Sequence, residues 1–362
     1  MNILAITESR SEKVVGPINR MENSRVIVIS GSSSQLYSYF KFVFQLIHHL
    51  WSRSPDVVLV NRDGPASFIT TSISFIFQTP VVIRLGGDPW QNHHQKIREY
   101  YSKKECLGIA KHLILYSINH LAFRSCSGFI VVSNEMKDIV CNKLGVYESD
   151  VQVVHSSVDM SPFFCQNSVL ETADIQQYEQ YTILTVANLD FYGKYDGICR
   201  MLPSIRDFLQ KNKEAKYIIA GSGIYLDKLE SEIDRINNSE IKERIELLGY
   251  VDNVVNLYED SDVFVYCSFF DGYPNVILEA QLSGIPVITN AKHGMIEQVV
   301  HNQDGYLIDE PSEFEYYLDM LYKNPKIYDK IVYNAKKKVI HYNNHSRAAE
   351  DIRNSIGKIL NG

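Results

Sequence analysis

Twelve short runs rich in strand-forming residues recur along this chain, and longer stretches of helical character separate them. In the first half they are NILAIT, RVIVIS, DVVLVN, PVVIRL, GFIVVS and VQVVH. In the second they are YTILTVA, KYIIAG, IELLG, VFVYCS, PVITN and GYLID. Residues 41–51, 66–77 and the long run 93–125 read as helical. Strands alternating with helices demand βαβ units and parallel sheets. Two sets of six predict two doubly wound, Rossmann-like α/β domains. The length of 362 residues exceeds what one typical domain needs. The polar, aperiodic stretch SPFFCQNSVLETADIQQYEQ (161–180) is the expected divide, giving domains 1–165 and 166–339. After about residue 312 the chain is helical again, interrupted by HYNNHS.

A formal net charge of −7 argues against a nucleic-acid binder. The charge is uneven, +3 over residues 1–170 and −10 over the rest, an asymmetry that matters at an anionic surface. The six cysteines, at 106, 126, 141, 165, 199 and 267, form no CxxC pair and no zinc-like cluster. They read as reduced thiols of a cytosolic protein. The opening MNILAIT runs directly into polar ESRSEK and does not resemble a signal peptide. The uncharged stretch between Asp63 and Arg84 contains Gln78 and Pro80 and reads as a buried helix and strand, not a membrane span.

Ligands of doubly wound sheets bind beyond the carboxyl ends of the strands. One such end opens SFFDGYPNVILEAQLSGIPVITN (268–290). Pro274 suits the first turn of a helix, and the N–H groups of Asn275 and Val276 then make an anion site. Glu279 lies four residues past Asn275 on the same face, roughly 6 Å along the axis at 1.5 Å per residue. A phosphate at the helix start would leave a ribose diol near Glu279, with Asp271 reaching a sugar hydroxyl. The alternative is a surface acid and a turn aspartate. The apolar neighbours Ile277, Leu278, Ala280 and Leu282 weigh against a fully solvated Glu279.

This stretch resembles the signature of retaining GT-B glycosyltransferases of family 4: an acid, seven residues, then Glu, with a Tyr-Pro-Asn-Val start and a Gly-x-Pro-Val finish. Asp271 stands where that family usually carries Glu. The resemblance implies a GT-B fold, two Rossmann-like domains facing across a cleft, with the final helix (340–362) packing back on the first. It implies that Glu279 binds the ribose of a nucleotide-sugar. Asp271 and the backbone of Tyr273, Pro274, Asn275 and Val276 would hold sugar and diphosphate.

Four further segments carry the resemblance. ANLDFYGKYDG (187–197) is similar to the family's turn after the first strand of the second domain, with Asn188 where many members have Arg. Lys194 would neutralise the diphosphate as a compact point charge; on its own it reads as an exposed loop lysine. IIAGSG (218–223) lacks the third glycine of a dinucleotide fingerprint, so Gly221 and Gly223 read as a turn that brings backbone to the nucleotide. Tyr250 and Val251 would border the base. The literal Asp260-Ser261-Asp262 is read as a structural turn and not as a metal site. In AKHGMIEQVV, His293 and Gly294 would face the cleft, and Glu297 reads as structural.

The first half matches more loosely. Gly16 in VVGP follows the first strand, as a loop that approaches the diphosphate. Asp88 in RLGGDPW is either an acid that orients the acceptor nucleophile or a donor hydroxyl, or a helix N-cap. VVSNEMKDIV and VVHSSVDMSPF resemble family segments, with Ser156-Ser157 replacing Asn-Gly. The basic residues within 93–125 read either as a solvated face or as a peripheral contact with anionic membrane.

The function so implied is transfer of a hexose or N-acetylhexosamine from a UDP- or GDP-linked donor to a hydroxyl of a glycan or lipid-linked acceptor, with retention. No permanently bound cofactor, no metal and no nucleic-acid partner is expected. The location expected is the cytoplasm, at the inner face of the membrane. A GT-B nucleotide-sugar epimerase and a non-catalytic nucleotide-sugar-binding subunit are the competing readings.

Overall fold

The computed structural model describes residues 1–7, 12–29, 35–61, 63–164 and 180–361. Twelve strands form two six-stranded sheets. The first sheet contains β1 (Ile3–Thr7), β2 (Ser24–Val28), β3 (Val57–Asn61), β4 (Val81–Leu85), β5 (Gly128–Val131) and β6 (Val151–Val153), in the order β2-β1-β3-β4-β5-β6. The second contains β7 (Tyr181–Val186), β8 (Ala215–Ala220), β9 (Ile245–Gly249), β10 (Val263–Tyr266), β11 (Val287–Asn290) and β12 (Tyr306–Ile308), in the order β12-β11-β10-β7-β8-β9. Neighbouring strands in both sheets run parallel. Strands such as β1, β4 and β10 are buried at every position. Their near-continuous apolar sequences fit a sheet covered by helices on both faces.

The chain divides into two compact units. Unit 1 is Met1–Asp159 with His345–Gly362, and unit 2 is Met160–Asn344. The crossings thus fall at 159/160 and 344/345, a few residues from the 165/166 and 339/340 divisions read from sequence. Most of the polar linker, 165–179 with Cys165, lies outside the described residues.

In unit 1, Ile3, Ala5, Val57, Leu59, Val82 and Ile130 make a buried cluster with Ile352, Ile356 and Ile359 of the His345–Asn361 helix. In unit 2, β7 pairs with β8 on one side and β10 on the other, so the strand order reverses direction between β7 and β10. That crevice is where a ligand of such a sheet binds.

Two local expectations change. Gly16 is not in a loop: it lies inside the Glu12–Asn19 helix. The His345 ring occupies the space that a Cβ on Gly16 would need, 2.3 Å away. Ser157 Oγ lies 2.9 Å from Nδ1 of the same ring. The glycine's evident task is therefore to admit the last helix. The run 93–125 is two helices, Pro89–Ser102 and Cys106–Ser125, broken at Lys104, which adopts a left-handed φ of 57°.

Candidate functional site

The site is built on the two strands flanking the reversal in unit 2. After β7 the chain turns into the Tyr192–Lys211 helix, and Lys194 sits in its first turn, not in a loop. Sequence reasoning missed how that helix is placed. A Cβ on Gly197 would lie 1.9 Å from the carbonyl oxygen of Cys267, so only glycine lets the helix lie directly on the end of β10. Phe269 N donates to Gly193 O at 3.3 Å, and the rings of Phe191 and Phe270 stack at 4.6 Å. This close approach brings Lys194 Nζ to 3.1 Å from Asp271 Oδ1. The two side chains are only 14% and 16% exposed.

Asp271 is held on several sides. Tyr266, the last residue of β10, donates its hydroxyl to Oδ2 at 2.5 Å, and Ser268 Oγ donates to the same oxygen at 2.8 Å. Burial pushes the Asp271 carboxyl up, but Lys194 and these donors outweigh it and hold its pKa below the ordinary value. The carboxylate is therefore ionised at neutral pH. Burial, with the Asp271 charge adding to it, pushes the Tyr266 phenol well above its usual range, so it remains a donor. Asn290 at the end of β11 accepts from Ser268 N and donates to Ser268 O, which fixes the loop's origin.

The Asn275–Ser283 helix follows. Pro274 is its N-cap, just outside the first turn in which the sequence placed it, and as a proline it offers no side-chain cap. Its φ of −72° and ψ of 128° still feed the chain into the helix. Gln298 Nε2 donates to Pro274 O at 2.8 Å, and Gly294 lies so close to the Gly272 carbonyl that a Cβ there would clash. Tyr273 is buried and accepts a hydrogen bond from Asn343 Nδ2 at 3.3 Å. Asn275 is buried, whereas Val276 and Glu279 are half-buried on the helix. Tyr258, itself fully buried, donates to Glu279 Oε2 at 3.0 Å. Gly284, in the left-handed conformation, ends the helix before Pro286.

The remaining candidates of unit 2 surround this centre. Asn188 caps its own turn by accepting from Asp190 N at 2.9 Å. Gly221 has φ 149° and Gly223 φ 151°, and Cβ atoms on them would meet the backbone of Ala187 and Leu189 at 1.8 and 2.2 Å. They let the loop after β8 lie on the loop after β7, so their close backbone approach is to the protein itself. Tyr250 is exposed and Val251 half-buried beyond β9, the outermost strand. In the 260–262 turn, Asp262 Oδ2 accepts from Thr182 N at 2.7 Å, a structural bond. Among the described residues, no group of three or more His, Cys, Asp or Glu is arranged to hold a metal ion.

In unit 1, Asp88 is the N-cap of the Pro89–Ser102 helix and accepts from Gln91 N at 2.9 Å. Cβ atoms on Gly86 or Gly87 would meet nothing within 4 Å. A buried polar cluster that sequence reading passed over lies nearby in sequence. His93 Nε2 is 2.8 Å from Asn119 Nδ2, which also donates to Asp63 Oδ2 at 3.1 Å. Burial depresses the His93 pKa against the opposing pull of Asp63, so the ring stays neutral at neutral pH. The QNHHQ stretch was the available signal.

Two Rossmann-like units of parallel sheet, with the candidate centre at a strand-order reversal, define the GT-B class of fold. Residues 173–338 match the family model described as glycosyl transferases group 1. The capsular polysaccharide biosynthesis glycosyltransferase CapM of Staphylococcus aureus is 24% identical over 84% of this chain and 77% of its own length. A UDP-Gal:alpha-D-GlcNAc-diphosphoundecaprenol alpha-1,3-galactosyltransferase of Escherichia coli is 26% identical over 75% of this chain and 70% of its own. The chain spans 58% of the length of an uncharacterized glycosyltransferase of Methanocaldococcus jannaschii, to which it is 27% identical. Among solved structures, Anabaena HepE in complex with UDP superposes with a TM-score of 0.71 and 16% identity, over 99% of this chain and 100% of that one. That likeness bears on the fold.

Proposed function

We propose that this chain is a glycosyltransferase that moves a hexose or N-acetylhexosamine from a nucleotide-diphosphate sugar to a hydroxyl, with retention at the anomeric carbon, in synthesis of a surface polysaccharide or glycoconjugate. The observation that carries the reading is the Lys194–Asp271 pair, set where the strand order of unit 2 reverses and beside a helix start whose N-cap residue is a proline. Lys194 and the helix start together favour an anion carrying more than one charge, which is what a leaving diphosphate is. Asp271, ionised and oriented, accepts from sugar hydroxyls. Glu279, steadied by Tyr258, accepts from a ribose diol.

The donor is UDP- or GDP-linked. HepE, a structural neighbour, was solved with UDP and with UDP-glucose, which favours the uridine series. The match to enzymes named for capsular and diphosphoundecaprenol-linked sugars supports a glycan or lipid-linked acceptor. For unit 1 we assign the acceptor hydroxyl, with Asp88 as the orienting acid. No role toward the diphosphate is built on Gly16.

Binding and slow hydrolysis across a panel of UDP-, GDP- and ADP-sugars, with Glu279→Ala and Lys194→Ala beside wild type, test this. One preferred donor, weakened by both substitutions, is expected. If wild type binds no member of the panel, or both variants bind as wild type does, the donor site is wrongly placed.

A further inference from the structure

The Gln35–Arg53 helix is apolar on two faces. Phe42, Leu46 and Leu50 are buried in unit 1. On the opposite side Tyr37, Phe40, Phe44, Ile47 and Trp51 follow a seven-residue repeat and stand exposed, Trp51 by 80%. Scattered exposed apolar residues are ordinary, but a continuous stripe of five, four of them aromatic, is not.

The stripe belongs to a broader layer. From β2 through β5 the strands advance in one direction across the sheet. Right-handed crossovers therefore put all the intervening helices on one face. The Gln35–Arg53 helix touches Pro65–Ile76, which touches Cys106–Ser125. Trp51 meets Phe77 edge-on at 6.4 Å. The middle helix ends on exposed Phe75 and Ile76, and the third exposes Leu107, Leu113, Ile114 and Leu121.

These three helices contain no acidic residue, in a protein of net charge −7, while Lys41, Arg53, Lys111 and Arg124 lie on them. Where the first helix ends, Arg25, His49 and Arg53 share a cavity of about 510 Å³ with Asn2, Asn23 and Ser24. Apolar anchors among helices whose own charges are all basic, with Glu105 and Asp56 only at the edges, complement an anionic lipid surface. A second copy of the same face would set cation against cation. Among the described residues, no helix is long and apolar enough to cross a membrane.

We infer that this three-helix face of unit 1 seats the protein on an anionic phospholipid bilayer, with Phe40, Phe44 and Trp51 entering the interface and Lys41, Arg53 and the 25/49/53 cavity meeting the headgroups. Of the 93–125 segment read as the membrane contact from sequence, the Cys106–Ser125 helix supplies the exposed leucines and isoleucine of this face, and the Pro89–Ser102 helix lies on the same side of the sheet. Lys96, on the preceding helix, is paired with Glu99 at 3.0 Å.

The test uses the whole chain with vesicles of phosphatidylglycerol and phosphatidylcholine in equal parts, and of phosphatidylcholine alone. Trp90 is buried, so a blue shift of tryptophan emission on binding reports Trp51. At low salt, co-sedimentation with the anionic vesicles and a blue shift are expected, both fading as salt rises. Phe40→Ser with Phe44→Ser and Trp51→Ser is expected to abolish sedimentation. Lys41→Glu with Arg53→Glu weakens it by roughly fivefold for each basic charge lost. Unchanged unfolding curves identify correctly folded variants, and the wild-type blue shift needs no variant at all. No sedimentation at low salt, or undiminished binding by both variants, overturns the inference. So does a dimer that the triple substitution dissociates, which would give the face to a second copy. The inference does not rest on the donor site: failed lipid binding leaves nucleotide-sugar binding intact, and the reverse.

Discussion

Tyr258 donates its hydroxyl to Glu279 Oε2 across 3.0 Å, from a ring that is wholly buried. The phenol is thus a positioning group for the carboxylate proposed to grip the ribose. Burial, reinforced by the Glu279 charge, raises its pKa well above the usual range, so it donates at every working pH. Tyr258→Phe keeps the ring and removes the donor. A hydrogen bond to a charged group contributes about 1.5–3 kcal/mol, so the KM for the donor is expected to rise about tenfold or more. The kcat should change little. Steady-state kinetics on the preferred sugar nucleotide checks the split, and an equal fall in kcat would place Tyr258 closer to the chemistry than this reading does.

Lys194 and Asp271 are expected to be strongly coupled. Lys194→Met leaves a half-buried carboxylate without its cation, and Asp271→Asn leaves the ammonium without its anion. Each is predicted to cost about 2–3 kcal/mol of stability, discounted for partial exposure. The double variant should lose clearly less than their sum. Urea unfolding of all four proteins measures the coupling. The folded pKa of Asp271 lies below its unfolded value. Its contribution is therefore present above the unfolded pKa and is lost as pH falls through the folded one. Wild type should lose this increment on acidification and Asp271→Asn should not.

Gly197→Ala is a backbone test of the same pair. The added Cβ meets the Cys267 carbonyl at 1.9 Å, so the helix carrying Lys194 must move off β10. Overpacking of this kind costs about 1–3 kcal/mol or more, and donor affinity should fall with it. Gly86→Ala meets nothing within 4 Å and should change stability by less than about 0.5 kcal/mol. Thermal unfolding and donor titration of both variants check the contrast.

Asp262 carries a pH signature of opposite sign. Burial pushes its carboxyl from 3.8 up to about 6, against the lowering effect of the Thr182 N–H. Protonation thus stabilises the fold. That increment is fully present below the unfolded pKa and is lost as pH rises through about 6. Asp262→Asn can keep the bond from Thr182 without the charge. Wild type should gain up to about 3 kcal/mol relative to the variant between pH 7 and pH 4. Denaturant unfolding at both pH values decides it: a constant difference would mean that Asp262 is not strained by burial.

All twelve strands were legible because each is an apolar run too short for a helix and bounded by polar or glycine-containing turns. The helix of the Asp271–Glu279 stretch was legible because its proline start and glycine end are local signals. What was missed depends on contacts that spacing does not encode. Tyr258 and Tyr266 sit among apolar residues and read as core. Their hydroxyls acquire a purpose only when the fold brings Glu279 and Asp271 to them. Gly193 and Gly197 fall in the stretch read as a turn, and the Cys267 backbone that requires Gly197 lies 70 residues on. Gly16 was placed in a loop because VVGP follows the first strand, yet that segment is helical and absorbs Pro17. The run 41–51 reads as helix in sequence, but only the exposure of its outer apolar residues in the structure marks it as a surface.

Unit 1 takes its last helix from the far end of the chain. Ile352, Ile356 and Ile359 complete a core begun by Ile3 and Ala5. On a ribosome, the first sheet therefore emerges early and waits with one side of its core open. The whole of 160–344, one uninterrupted segment that makes a compact unit, is made before the closing helix appears. The order of completion can thus run against sequence order: the unit proposed to bind the nucleotide-sugar can be finished first, and the unit proposed to meet the lipid surface is sealed only once its closing helix has been made.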